Sequence, residues 1–331
     1  MPVDPNAGCN LDIPLQNCTI TTCCLAQGAA FNYVPHFGGN IFYMVFFAVF
    51  ILPQLWFGIR YRTWGFMIGM ILGLVLEVVG YYARVGLHDD PFSSDAFMLY
   101  LVGLTIAPVF ITAAIYLCLS RIIGLYGQHL SFLKPRTLAL TFMASDFLSL
   151  VLQAVGGVMA KAATSDLRDP QPGTNAMIAG LLLQAISLGF FAGVWIIFML
   201  RVRSGIPDQT AGKRKVRERA FFPAFMIGLA LATVVIEIRS IYRVAELWGG
   251  FSGKLWNDEV DFMVLDGVMM AIAVVLLTLF HPGIAFAGQW NSSDWSLRGG
   301  DHDDKSPRYG LGPEREMDDL WRRGGREYER T

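Results

Sequence analysis

The sequence predicts an all-α polytopic membrane protein with seven transmembrane helices, the N-terminus outside and the C-terminus cytoplasmic. Three observations predict it. Apolar residues make up 54% of the 331 residues and charged residues only 16%, where a soluble domain carries about 25%. Mean hydropathy is +0.45. Lysine and arginine are distributed unevenly between alternate loops, as orientation in a bilayer requires. So few charges exclude an ordinary cytosolic enzyme and a disordered chain. A net charge of −1 projects no field toward a polyanion, so no nucleic-acid partner is expected.

A bilayer core takes about 20 mostly apolar residues per helix. Seven stretches meet this: Phe37–Gly58, Gly65–Tyr82, Phe97–Ser120, Leu138–Ala160, Ala176–Leu200, Phe221–Trp248 and Val260–Phe286. Backbone groups in lipid are satisfied only in helices or closed barrels, and runs without alternation choose helices. Pro53 and Pro108 fall inside spans one and three and are expected to kink them.

Span two repeats Gly65, Gly69, Gly73, Glu77 and Tyr81 at every fourth position. This is a small-residue ridge for close helix approach, ending in a carboxylate. Arg84 follows Glu77 by seven residues and shares its face. Span three carries Thr105, Thr112, Tyr116 and Ser120 on one stripe. Span four carries Asp146, Ser149, Gln153 and Gly157, and span five Gly180, Gln184 and Ser187. Span six is apolar only from Phe221 to Ile236, about 24 Å. It must continue through Glu237, Arg239, Arg243 and Glu246 to cross. Arg239, Tyr242, Arg243 and Glu246 cluster within about 100° of the helical wheel, whereas Glu237 points away. In span seven, Glu259 and Asp266 share a face.

Orientation follows from the basic residues. None precedes span one; the six loops carry two, one, three, two, seven and one in order, and the tail carries eight. The low-count side includes the N-terminus, which is therefore placed outside. No cleavable signal peptide is visible in Met1–Asn10. The outer segment 1–36 contains Cys9, Cys18, Cys23 and Cys24, an even set consistent with two disulfides whose pairing the sequence leaves open. Asn17-Cys18-Thr19 is an N-glycosylation sequon. Residues 288–331 form a charged, glycine-rich cytoplasmic tail, expected to be disordered. The seven-helix domain spans 37–287.

Ionisable groups in lipid are costly and face the bundle interior, a substrate path or one another. The candidate substrate-binding or translocation residues are therefore Glu77, Tyr81, Arg84, Asp146, Gln153, Gln184, Arg239, Tyr242, Arg243, Glu246 and Asp266. With the N-terminus outside, the charged members fall in the outer half, Asp146 excepted. A pocket there suits a cationic or zwitterionic head group with acyl chains between helices. The competing reading is an ion-pair network that orders the helices.

Nothing points to catalysis. There is no phosphate-binding loop of the Gly-x-x-x-x-Gly-Lys-[Ser/Thr] type, no nucleophile elbow and no metal-ligand spacing among His36, His88, His129, His281 and His302. Span seven lacks a lysine for a retinal Schiff base. No catalytic residue, metal or cofactor is expected.

Several short motifs recur in a recognisable order: Glu77-Val-Val-Gly80-Tyr81-Tyr-Ala-Arg84, Ala107-Pro108, Ala113-Ala114-Ile115-Tyr116, Asp146 with Gln153-Ala-Val-Gly156-Gly157, and Gly180-Leu-Leu-Leu-Gln184. Arg239-Ser240-Ile-Tyr242-Arg243 with Glu246, then Glu259 and Asp266, complete the series. Over about residues 37–287 the chain resembles the fungal lipid-translocating exporter family, of the resistance-to-aminocholesterol type. The resemblance implies efflux or translocation of sphingoid long-chain bases, resistance to toxic sterol-like or drug compounds, membrane lipids and amphipathic small molecules as partners, and residence in the plasma membrane. The alternative is a seven-span receptor or sensor of membrane-lipid stress.

Overall fold

In the computed structural model, the described residues are 31–126, 134–165, 169–204, 221–250 and 253–286, with Cys23, Leu25, Ala29, Arg217, Arg219 and Trp290. The chain separates into two units, Met1–Asp294 and Trp295–Thr331; the second lies wholly outside the described residues.

The described residues are helical, with seven helices long and apolar enough to cross a membrane. They are α1 (Phe37–Tyr61), α2 (Trp64–Asp89), α3 (Ser94–Tyr126), α4 (Pro135–Ser165), α5 (Gln171–Ser204) and α6 (Phe221–Trp248). The seventh, α7, is composite: a helical turn Glu259–Phe262, a π-helical segment Met263–Val268 and an α-helix Met269–Leu279. A single turn, α8 (Pro282–Ala285), follows. The protein is an integral membrane protein.

The helices are longer than the apolar runs that predict them. Arg84, counted above in the second loop, lies inside α2 and is fully buried. The turn between α2 and α3 then carries no basic residue. Span seven is not one continuous α-helix. The π-segment interrupts it, and the helix ends at Phe280, where the backbone leaves helical geometry before Pro282. Span six is continuous through its charges, as expected. Pro53 and Pro108 both lie within continuous helices.

Each helix packs on its chain neighbours, and α7 returns to α1, so the seven close into a ring; α3 also reaches α6. The central membrane stretch of α3 is 67% buried against 22% for α1. α3 is therefore the inner post and α1 an outer one, with Phe42, Leu52 and Trp56 turned outward. A bilayer solvates such a face at no cost.

Glycines set the closest approaches. A Cβ on Gly73 would meet the Ala107 carbonyl at 3.0 Å, and one on Gly103 would meet the Gly80 Cα at 3.1 Å. The ridge of α2 thus lies directly on α3. On α4 and α5 the same device recurs, with Gly180 against the Ser149 carbonyl at 2.7 Å and Gly173 against the Ala160 backbone. At the α1–α2 hairpin, Arg62 adopts a left-handed conformation (φ 55°) and caps α1 through its N–H to the Gly58 and Ile59 carbonyls.

Of the four N-terminal cysteines only Cys23 is among the described residues. It is buried. Cys9, Cys18, Cys24 and the sequon residue Asn17 lie outside them. The fifth cysteine, Cys118, is free and buried in α3.

Candidate functional site

The ring brings most of the predicted polar residues into one buried layer. Three arginines stand there, each against a carboxylate. Arg239 of α6 pairs with Asp266 of α7 at 2.8 Å and donates to the Leu104 carbonyl of α3 at 2.6 Å. Arg243 pairs with Glu246, one turn along α6, at 2.6 Å. Arg84 of α2 lies 3.8 Å from Glu259 at the start of α7.

Arg84 is the most elaborately held. Its Nε donates to Asn40 Oδ1 of α1 at 3.0 Å, and Nη2 donates to the Tyr33 hydroxyl at 3.0 Å. The guanidinium lies over the rings of Phe262 (3.9 Å), Phe31 (5.0 Å) and Tyr100 (5.0 Å), a favourable seat for a delocalised cation. Burial pushes the Tyr33 hydroxyl up to about 12, although Arg84 pulls it down; it stays a neutral phenol. Glu259 also accepts the His36 backbone N–H at 2.5 Å. The segment entering α1 is thereby tied to α2 and α7.

Glu77 is different. It is fully buried, and neither carboxylate oxygen has a hydrogen-bond partner among the described residues. It lies in the field of Arg239, Asp266 and Arg243, but both arginines already face a carboxylate of their own. One turn on, Tyr81 stacks on Tyr43 at 5.1 Å, its buried hydroxyl also without a hydrogen-bond partner among the described residues. Tyr43 donates to the Met263 carbonyl at 2.9 Å, at the first residue of the π-segment. That segment contains Asp266 and Gly267, and a Cβ on Gly267 would lie 2.9 Å from the Tyr81 hydroxyl. π-Segments often sit at functional positions. Here the segment shapes the wall facing Tyr81.

The layer borders a small cavity of about 10 Å³ lined by Thr105, Leu181, Gln184, Arg239, Ser240 and Arg243. Gln153 donates to Gln184 at 3.2 Å beside it. This volume admits no more than one water, so the bundle is closed around its charges. A larger furrow of about 460 Å³ runs along α1 from Gly38 to Phe50. It is apolar, and no residue of the charged layer lines it.

Glu77, Tyr81, Arg84, Arg239, Tyr242, Arg243, Glu246 and Asp266 thus come together, with Gln153 and Gln184 on the flank. Asp146 does not join them; it bonds to Thr112 and Tyr116 on α3. Glu237, expected to point away, is half-buried and forms no ion pair among the described residues. Sequence reasoning passed over Asn40, Tyr33 and the aromatic seat of Arg84. Asn40 was legible as an amide in an apolar run; the rings were not, because they come from three separate elements. No group of three or more metal-ligating side chains occurs among the described residues.

Comparison with known proteins matches residues 70–289 to the RTA1 like protein family. The chain is 33% identical to the sphingoid long-chain base transporter RSB1 of Saccharomyces cerevisiae, over 78% of this chain and 75% of that protein. It is 28% identical to protoporphyrin uptake protein 1 of the same yeast, covering 62% of this chain and 65% of that one. Protein RTM1, also from that yeast, is 28% identical over 65% and 66%. No solved structure matches.

Proposed function

This chain belongs to the RTA1-like protein family, and from that premise we propose that it translocates cationic amphiphiles, of the sphingoid long-chain base class, across the membrane. The observation that carries this is the unmatched carboxylate. Arg84, Arg239 and Arg243 each face a carboxylate, and Glu77 is left over with neither oxygen bonded. A buried, uncompensated charge is strongly unfavourable, so the layer is complementary to one added cation. The ammonium of a long-chain base supplies that charge, and its alkyl chain belongs between helices or in lipid. Likeness to a sphingoid long-chain base transporter supports the substrate class; likeness to a porphyrin uptake protein supports a general capacity for amphiphiles.

In this reading Glu77 contacts the amine, Tyr81 offers a hydroxyl beside it, and Tyr242 offers one nearer Arg243 and Glu246. The arginine pairs hold charge balance and chemistry is absent. Gln153 and Gln184 flank the passage. Because the cavity admits only a water, entry requires α3, α5 and α6 to part. We place the N-terminus outside, with a glycan on Asn17 and two disulfides among Cys9, Cys18, Cys23 and Cys24. The protein resides in the plasma membrane, where export confers resistance to toxic amphiphiles.

The test is transbilayer movement of a sphingoid base, with a fluorescent phospholipid alongside, in vesicles containing purified protein, with and without a pH gradient. Wild type is expected to move the base, and Glu77→Gln to slow it about tenfold or more, a loss of about 1.4 kcal/mol or more. Equal rates in the two proteins would remove Glu77 from the path. No movement by folded wild type would replace translocation with the receptor reading.

A further inference from the structure

Asp146 occupies a second buried polar site, away from the arginines. It sits on α4 at 1% exposure. Its Oδ2 accepts from the Tyr116 hydroxyl at 2.9 Å and lies 3.1 Å from the Thr112 hydroxyl, both on α3. Its Oδ1 has no aligned hydrogen bond among the described residues. The Ser187 hydroxyl of α5, 7% exposed and likewise without an aligned partner, faces this carboxyl. Ser149 does not help, since it donates to the Asp146 backbone carbonyl at 2.7 Å.

Among the described residues the groups acting on the Asp146 carboxyl are hydroxyls, with no arginine or lysine. The titratable neighbours from the packed elements add no positive charge: Tyr116 on α3 and Glu237 on α6, which acts on Tyr116. Glu237 has a buried, unpartnered Oε2 of its own. A lone carboxylate in an apolar interior requires a counter-charge. Asp266, Glu246 and Glu259 each find an arginine within the protein; Asp146 has no such partner among the described residues.

We propose that Asp146 binds one monovalent cation, a proton or a sodium ion, on its carboxylate beside the Ser187 hydroxyl. A proton on the carboxyl makes it a donor to Ser187 Oγ; a sodium ion takes the carboxylate and the Ser187 hydroxyl as ligands, with the Tyr116 and Thr112 hydroxyl oxygens beside them. Either ties α4 to α5 beside the inner helix α3. The site stands on its own geometry and does not depend on what the Glu77 layer carries.

The experiment uses the full-length purified protein in detergent. Thermal unfolding is followed as sodium replaces choline at constant ionic strength, and separately from mildly alkaline to mildly acidic pH. The infrared carbonyl band of a protonated carboxyl is recorded in parallel. A bound ion raises Tm by about 3 °C when present well above its Kd. A sodium-dependent rise, absent in Asp146→Asn, identifies sodium. An acid-dependent rise with a protonated-carboxyl band, both absent in Asp146→Asn, identifies a proton. Glu77→Gln and Glu237→Gln should keep the response, which separates this site from the other carboxyls. Ser187→Ala should weaken it several-fold and serves as the readout if Asp146→Asn does not fold. Equal responses in wild type, Asp146→Asn and Ser187→Ala, or no response in wild type, would overturn the proposal.

Discussion

Among the buried carboxylates, identity matters less than pairing. Asp266 and Glu77 are both inaccessible and lie close enough to feel each other's charge. Neither has an aligned hydrogen bond among the described residues, but Asp266 forms an ion pair with Arg239 at 2.8 Å, whereas Glu77 has no ion pair among them. Neutralising Asp266 strands a guanidinium in a low-dielectric interior, and removing one member of a buried pair costs about 3–5 kcal/mol. Neutralising Glu77 removes a charge that nothing matches. Asp266→Asn is therefore expected to lower Tm sharply, and Glu77→Gln to leave it unchanged or raise it. Thermal unfolding of the two variants in detergent checks this; equal losses would show that Glu77 belongs to the stabilising network. The contrast was only half legible from sequence. The wheel placed Glu77 with Arg84 and set Arg239 with Arg243, but it could not say which carboxylate would be left over.

Helix contact is controlled by where a single methyl fits. Gly173 and Gly193 lie in the same helix, α5. A Cβ on Gly173 would overlap the Ala160 backbone, while one on Gly193 meets nothing within 4 Å. Gly173→Ala must push α4 and α5 apart, and overpacking of this kind costs about 1–3 kcal/mol. Gly193→Ala is expected to be neutral or stabilising by up to about 1 kcal/mol, from helix propensity alone. Folded yield and Tm of the pair decide the matter, and a neutral Gly173→Ala would mean the helices relax freely. The every-fourth glycines of α2 were visible in one dimension, and their partner surface on α3 follows from adjacency in the chain. The π-segment of α7 was not visible. Its residues, Met263 to Val268, carry no pattern that distinguishes a π-turn from an α-turn. Only the fit of Tyr43 and Tyr81 against Gly267 shows what the extra residue in the turn accommodates.

Across the whole molecule, charge asymmetry sets the direction of insertion. With Arg84 drawn into α2, the short turn from Asp90 to Ser93 has no basic residue, while residues 201–220 carry seven. That contrast favours an outside N-terminus. Asn17 is then exposed to the glycosylation machinery. A mobility shift on glycan removal, abolished by Asn17→Gln, is the expected outcome in a fungal host. An unshifted wild type, with the second sequon Asn291-Ser292-Ser293 modified instead, would invert the topology. Ring closure through α1 and α7 also explains why the segment before α1 matters. Tyr33 and His36 reach Arg84 and Glu259, so this end of the bundle is pinned by residues outside any span.

By itself the sequence determined the helix number, the helical period of each polar face and the asymmetry of its basic loops. These are local: they depend on apolar run length, on 100° per residue and on counts between spans. Tertiary structure decided which charges meet. Arg239 finds Asp266 and Arg84 finds Glu259 only because α7 closes the ring against α1 and α6. Asp146, predicted with the others, stands apart because α4 presents it to α3 and α5 instead. A helical wheel fixes the direction of a side chain around its own axis, but pairing depends on the rotation and depth of the neighbouring helix, and packing alone sets those.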